Sequence, residues 1–267
     1  MVQKYIPKEQ GKEMKKILVL ILICVFSISL YSQGSAGSET IYQPKYIIDM
    51  PTAGILPVKT YSVNGSFFAN GGVLLDFDIS PLKNLSIGLS FSGSHIWGSG
   101  NIIFQNLPGI NFRWRILDET KKMPAILIGF SNQGRGMFYK QLKRFQTMSP
   151  GIYAAASKSF TWWAGYFALH AGVNYTFEQP SGYYIPNLWM GVEHSIGKRV
   201  SLHIEFNPNL ADSQNDVMSN RILLNASLRW SIVRGATIEF IMHDLFNHTI
   251  NTAGFERWFG LEFTHGI

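Results

Sequence analysis

The sequence predicts an all-β chain, an antiparallel up-and-down β-barrel of about twelve strands that crosses a membrane. Three observations predict it. From Thr60 onward apolar and polar residues alternate with a period of two almost everywhere, the signature of strands with one apolar face. The alternating runs approach the roughly 9–11 residues that a tilted membrane strand needs, where soluble strands are nearer 5–6. The connections alternate between short turns and longer loops, as in barrels of this kind. Composition agrees: charged residues are 15%, aromatics 14%, and there are 25 glycines.

The N-terminus is read first. Met14-Lys15-Lys16 is a basic start, Ile17 to Leu30 is apolar, and Tyr31-Ser32-Gln33 suits cleavage. That layout predicts a secretory signal peptide over 1–33, with a misplaced start or a long basic region before Met14. The apolar run is short for a membrane helix. Cys24, the only cysteine, lies inside it, so the rest of the chain has no disulfide or thiol chemistry. The leader through Ser32 carries five Lys and two Glu, which leaves the remainder near net +3. Nucleic-acid binding gains no support from that balance. Residues 34–58 contain three closely spaced prolines and predict an irregular segment, placed in the periplasm or tucked into the lumen.

The barrel is expected over 59–267, with strands near 60–69, 72–80, 84–93, 109–118, 123–131, 150–159, 163–177, 187–196, 199–207, 220–232, 236–244 and 255–265. Val73, Leu75, Phe77 and Ile79 alternate with Leu74, Asp76, Asp78 and Ser80. Ile110, Phe112, Trp114 and Ile116 alternate with Asn111, Arg113, Arg115 and Leu117. In RILLNASLRW, from Arg221 to Trp230, the even positions are apolar and the odd ones include two arginines. The apolar faces are expected against acyl chains, because only a closed barrel satisfies strand backbones in lipid. Tyr61, Trp97, Trp162, Trp163, Tyr175 and Trp230 fall near strand ends, where interfacial aromatics belong. Lys83, Lys121, Lys122, Lys158, Lys198, Arg199 and Arg234 sit at the short turns, where anionic headgroups attract bases. Longer loops are expected at 94–108, 132–149, 178–186, 208–219 and 245–254. The final run from Gly260 to His265 is similar to the terminal insertion signal of outer-membrane barrels, although it ends in Gly266-Ile267.

The inward faces then carry the candidate functional residues. Arg113, Arg115, Arg221 and Arg229 share the lumen with Asp76, Asp78, Glu193, Glu205, Glu239 and Glu262. Mixed signs have two readings: a closing ladder of ion pairs, or a wet channel with a transverse field. Trp189 and Trp258 could stack on sugar rings or simply fill space. The loop 132–149 holds Arg135, Lys140, Lys143 and Arg144 and no acid, so it could meet lipopolysaccharide phosphates or an acidic glycan.

No pattern for catalysis, cofactor or metal stands out: there is no HExxH, GxSxG or Cys/His cluster. His194 and Ser195 are adjacent and so face opposite ways. His203 and Glu205 share a face and would need a serine elsewhere. The expectation is therefore a chain that is not an enzyme.

The stretch Met50-Pro51-Thr52-Ala53-Gly54, leading into the first strand, resembles YjbH-like outer-membrane barrels. So does Ser80-Pro81-Leu82-Lys83-Asn84-Leu85 with Ile87-Gly88 and Gly93-Ser94. The pattern covers roughly residues 46–135. The resemblance implies an outer-membrane barrel of a Gram-negative cell connected with exopolysaccharide, as pore or anchor, with periplasmic export partners. A general small-solute porin, a structural barrel with a closed lumen and a barrel hydrolase are the alternatives.

Overall fold

The computed structural model describes residues 43–162, 165–178, 185–212, 217–250 and 254–267. The expected signal peptide and the start of the 34–58 segment lie outside the described residues. Fifteen strands follow in order: β1 (Thr60–Phe68), β2 (Gly72–Leu82), β3 (Leu85–Ser94), β4 (Ile103–Phe104), β5 (Gly109–Leu117), β6 (Ala125–Ser131), β7 (Arg135–Tyr139), β8 (Arg144–Thr147), β9 (Gly151–Trp162), β10 (Gly165–Tyr175), β11 (Asn187–Ile196), β12 (Val200–Asn207), β13 (Leu223–Val233), β14 (Ala236–His243) and β15 (Glu256–Gly266). Twelve of them form the wall, in the order β1, β2, β3, β5, β6, β9, β10, β11, β12, β13, β14, β15. All neighbours are antiparallel, and β15 pairs back with β1 from Thr60 opposite Gly266 to Phe67 opposite Phe259. The twelve-stranded wall is therefore closed, with no free edge along it among the described residues, as a strand-built membrane span requires.

The alternation read from the sequence sorts the two faces. On β2, Leu75 and Phe77 are 55% and 46% exposed, while Asp76 and Asp78 between them are 5% and 2% exposed. Leu188, Met190, Ile204, Trp230, Phe240 and Phe263 continue the outward apolar face around the wall. In water each such side chain would forgo about 1.5–3 kcal/mol of burial; lipid removes that cost. This is a transmembrane barrel.

Two parts of the chain lie inside the wall rather than on it. The segment from Gln43 to Pro57 makes a tight loop in which Tyr46 bridges Pro51, Ile47 N–H donates to Met50 O, and Thr52 N–H donates to Lys45 O. It joins β1 at the short-turn end and points its tip toward the long-loop end. Ile47, Ile48, Met50 and Ala53 pack there with Leu74, Leu127, Tyr153, Ala155 and Trp189 in one apolar cluster. Gly191 on β11 makes room for it, since a Cβ at that position would lie 2.6 Å from Ile47 Cδ1. Gly54 is equally constrained, because its Cβ would stand 2.1 Å from Pro44 O.

The second inserted part corrects the expectation of an open loop at 132–149. That stretch forms the β7–β8 hairpin, with Phe138 and Phe145 packed edge to face at 5.0 Å and buried. Tyr139 and Leu142 lie against Val217, Met218 and Leu223. Strand ends shift by a few residues. Two ends shift by three residues: β9 runs on to Trp162 rather than 159, and β13 starts at Leu223 rather than near 220, where Arg221 N–H is engaged by the Asn220 side chain at 2.7 Å in the preceding turn.

Candidate functional site

The lumen is the candidate site, and its chemistry starts from a backbone problem. An irregular segment buried in a barrel has no strand partner for its peptide groups, and an unpaired buried group costs about 1–3 kcal/mol. Here the wall side chains supply the partners. Arg113 on β5 donates to Lys45 O, Thr52 O and Gly54 O at 2.8, 2.8 and 2.9 Å. Arg115 donates twice to Ala53 O at 2.9 and 2.8 Å. Arg229 on β13 donates to Tyr46 O at 3.1 Å and Ile47 O at 2.9 Å. Trp189 Nε1 donates to Pro51 O at 3.0 Å. Glu205 on β12 uses one carboxylate oxygen to accept the N–H groups of Ile48, Asp49 and Met50 at 3.0, 2.9 and 2.8 Å. Ser157 on β9 accepts Ala53 N–H at 2.9 Å. Every residue from Lys45 to Gly54 thus has a main-chain group held by the wall.

Segment side chains add two fixed points. Lys45 pairs with Asp78 and donates to Ser62 at 2.8 Å. Asp49 at the tip meets His243 Nε2 at 2.7 Å and accepts from Asn225 at 3.1 Å. The His243 ring stacks on Trp258 at 4.0 Å. Burial alone would raise the Asp49 pKa; the charge and hydrogen bond of His243 outweigh it and hold the carboxyl below the usual range.

The hairpin closes the long-loop side. Arg144 makes a bidentate pair with Asp212, both contacts at 2.8 Å and both side chains buried. Gln146 donates to Glu256 at 3.0 Å. Phe145 N–H and Ser149 N–H reach Glu178 at 3.0 and 3.3 Å. The carboxyl end of the partly buried Glu178 is enclosed, and burial pushes its pKa up to about 7 against the pull of those amides. Hairpin and segment also touch each other. Arg135 lies over the Tyr46 ring at 4.4 Å, and Thr147 Oγ1 donates to Asp49 at 3.4 Å.

The structure turns nine of the ten candidate lumen charges inward. Arg113, Arg115, Arg229 and Glu205 hold the segment, and Asp78 holds Lys45. Asp76 pairs with Arg135 at 3.6 Å and Glu239 with Arg229 at 3.1 Å. Glu193 lies 3.5 Å from His170. With the Asn64 amide oriented by its partners, its nitrogen donates to Glu262 at 3.3 Å and its oxygen accepts from Lys45 at 2.8 Å. Arg221 is the exception: it is exposed in the β12–β13 connection. Of the four basic residues expected on an outer loop, Arg135 and Arg144 face inward onto acids, and only Lys140 and Lys143 are exposed. Trp189 is buried, with its ring where a Cβ on Gly172 would sit 2.1 Å away, and Trp258 has one face against His243. A cavity of about 70 Å³ remains between the segment and β1, β14 and β15, lined by Asn64, Ser66, Thr237, Glu239 and Glu262.

Sequence reasoning missed Lys45, Asp49, Asn225 and His243, although a Lys and an Asp within the apolar run KYIIDM were a usable signal. It also missed Ser157, whose Oγ is 2.8 Å from His170 Nδ1, with Glu193 beyond. That row is covered by the segment through Ala53. His203 bonds Ser201 at 2.8 Å, while Glu205 is turned to the segment amides. Among the described residues no group of three His, Cys, Asp or Glu is placed to hold a metal.

No family model and no curated protein matches the sequence. Among solved structures the chain is similar to a KdgM porin, at 8% identity and a TM-score of 0.48, over 78% of this chain and 99% of that one. It is similar to a NanC porin at 10% identity and a TM-score of 0.40, over 78% and 99%. The corresponding values for OmpF of Salmonella typhi are 8%, 0.32, 78% and 97%.

Proposed function

We propose that this chain is a non-enzymatic barrel of a Gram-negative outer membrane that takes part in cell-surface polysaccharide export or assembly, resting with its lumen closed. The observation that carries the closed state is the peptide-by-peptide hold on residues 45–54 by Arg113, Arg115, Arg229, Glu205, Trp189 and Ser157. In this state the barrel acts as an anchor for partners rather than as an open pore. The polysaccharide part rests on the resemblance to YjbH-like barrels, and Met50 to Gly54, which carry that resemblance, belong to the held segment. The outward apolar face and the closed sheet support the location.

Two experiments test the reading. In a planar bilayer the refolded chain is expected to show almost no steady conductance, while an Arg113→Ala/Glu205→Ala variant conducts; a steady large conductance of the unmodified chain would refute the closed state. Deletion of the gene is expected to lower surface polysaccharide, and unchanged polysaccharide would remove that part. A second reading, a small-solute porin that opens when the segment leaves, is favoured by the polar wall behind it, where Ser62, Asp78, Ser86, Asn111 and Ser157 are buried.

A further inference from the structure

We propose that the closed lumen is gated by one proton: a charged His243, facing Asp49 at the tip of the segment, keeps residues 45–54 docked, and loss of that proton loosens them. This rests on the closed-lumen reading and adds the event that opens it. The observation is the company that the imidazole keeps. His243 Nε2 lies 2.7 Å from Asp49 Oδ2, and both side chains are buried. Thr147 on β8 stands 3.4 Å from each of them. Glu205 on β12 is joined to Asp49 through Asn225 on β13, whose amide nitrogen donates to both carboxylates at 3.0 and 3.1 Å. Asp244, next in the chain, and Glu256 on β15 add to the negative field at the ring. Arg135 from β7 also faces Asp49, but it is paired with Asp76 at 3.6 Å. Four carboxylates thus gather around one histidine.

The chemistry follows from that excess of negative charge. Two carboxylates sharing a buried site repel each other, and a buried charge that loses its partner is strongly destabilising. With His243 charged, Asp49 has its cation. With His243 neutral, Asp49 keeps a hydrogen bond but becomes an uncompensated charge near Glu205. Asp49 belongs to the segment and Glu205 to the wall, so their repulsion acts against the three-amide contact that holds the tip. The cavity of about 70 Å³ bordered by Ile48 and Asp49 gives the loosened tip room on the side of β1, β14 and β15. An arginine or lysine in place of His243 would keep the pair at every ordinary pH; histidine is the side chain whose charge changes between about pH 5 and 8. The released state fixes the sign. There a wet histidine is largely neutral above about pH 6.5, whereas docking requires the imidazolium. Docking therefore takes up a proton near neutrality: the hold is complete below about pH 6.5 and is lost as pH rises. Asp49, held below the usual carboxylate range, stays ionised through that window and loses the pair only in stronger acid.

The test uses the full chain in a planar bilayer in potassium chloride, between pH 5.5 and 8.5, with folding checked by heat-modifiable gel migration. The expected result is rare openings at pH 5.5 and an open probability that climbs above pH 6.5, by about tenfold per pH unit at most for one proton. His243→Gln supplies a neutral donor and is expected to open as often at pH 5.5 as the unmodified chain does at pH 8.5. Asp49→Asn removes the charge that needs the proton and is expected to flatten the profile as well. It leaves every wall residue in place, so the test stands should His243→Gln fail to fold. Glu178→Gln removes the carboxyl that holds the hairpin and is expected to keep the rise. Silence of the unmodified chain at every pH would overturn the proton gate while leaving the closed lumen standing. A large steady conductance at every pH would overturn both. An undiminished rise in Asp49→Asn and His243→Gln would overturn the assignment to this pair.

Discussion

Replacing Glu205 by Ala removes the single acceptor shared by three consecutive amides of the segment tip. Leaving a buried N–H unpaired costs about 1–3 kcal/mol. Three such groups give an upper range of roughly 3–9 kcal/mol. Water from the neighbouring cavity can reach part of the tip, so about 3–5 kcal/mol is the expected loss in segment attachment. Asn225 keeps a partner, since it also donates to Asp49 at 3.1 Å. The wall is not weakened to the same degree, because Glu205 pairs with Gly191 and Asn225 through the backbone of its strand. The assay is native-state hydrogen exchange at the amides of residues 48–50, read against wall amides on β2 and β3. At about 1.4 kcal/mol per factor of ten, exchange at the tip should rise by two orders of magnitude or more while the wall barely changes. Glu205→Gln keeps an acceptor but loses the charge, and should give a rise nearer tenfold. Unchanged exchange at 48–50 in Glu205→Ala would refute the view that this carboxylate holds the segment.

Four further outcomes follow from the same contacts. Gly191→Val brings side-chain atoms against Ile47 and should loosen the tip by about 1–3 kcal/mol, seen as faster exchange at residue 48; an unaffected tip would show that the wall glycine is not needed there. Glu178 has a folded pKa raised from 4.5 to about 7, so its contribution is fully present below about pH 4.5 and is lost as pH rises through 7. Exchange of the Phe145 amide, corrected for its intrinsic pH dependence, should therefore quicken between pH 5 and 8, and Glu178→Gln should flatten that profile. Arg144→Ala takes the guanidinium from buried Asp212 and should cost about 3–5 kcal/mol, measured as a lower unfolding midpoint of the hairpin region by exchange or proteolysis. Phe77→Arg puts a charge on the outward face at mid-strand and should cost about 2–4 kcal/mol in bilayer refolding, whereas no penalty would mean that this face does not meet lipid.

The wall was legible in the sequence because its two faces meet different solvents. Lipid on one side and polar groups on the other impose a strict period of two, and runs such as Val73 to Ser80 display it without help from any other part of the chain. Strand ends were less legible, since a residue such as Arg221 fits the alternation of β13 yet belongs to the turn before it. The inserted parts were not legible as inserted. Their partners lie far along the chain, as with Met50 and Glu205, 155 residues apart, and no local pattern marks such a pairing. For the same reason the inward charges could be located by face but not by role: Arg113 reads alike whether it faces water, an acid or three carbonyls. Lys45 and Asp49 carried a hint of their own, as charges placed where an apolar run would otherwise be unbroken.

The hold on the segment also bears on the order in which the molecule is built. The segment comes ahead of all its holders in the chain, from Ser62, 17 residues beyond Lys45, to His243, 194 residues beyond Asp49. It cannot acquire all its native partners until β14 is in place, and contacts of such long separation form slowly. Joining β15 to β1 then turns the growing sheet into a ring around whatever lies in its centre. A chain that seals this seam with the segment outside would have to admit it afterwards through the short-turn end. The seam and the segment are thus competitors in time, and a change that slows closure, such as weakening the pairing of β1 with β15, should raise the share of molecules that assemble with the segment inside.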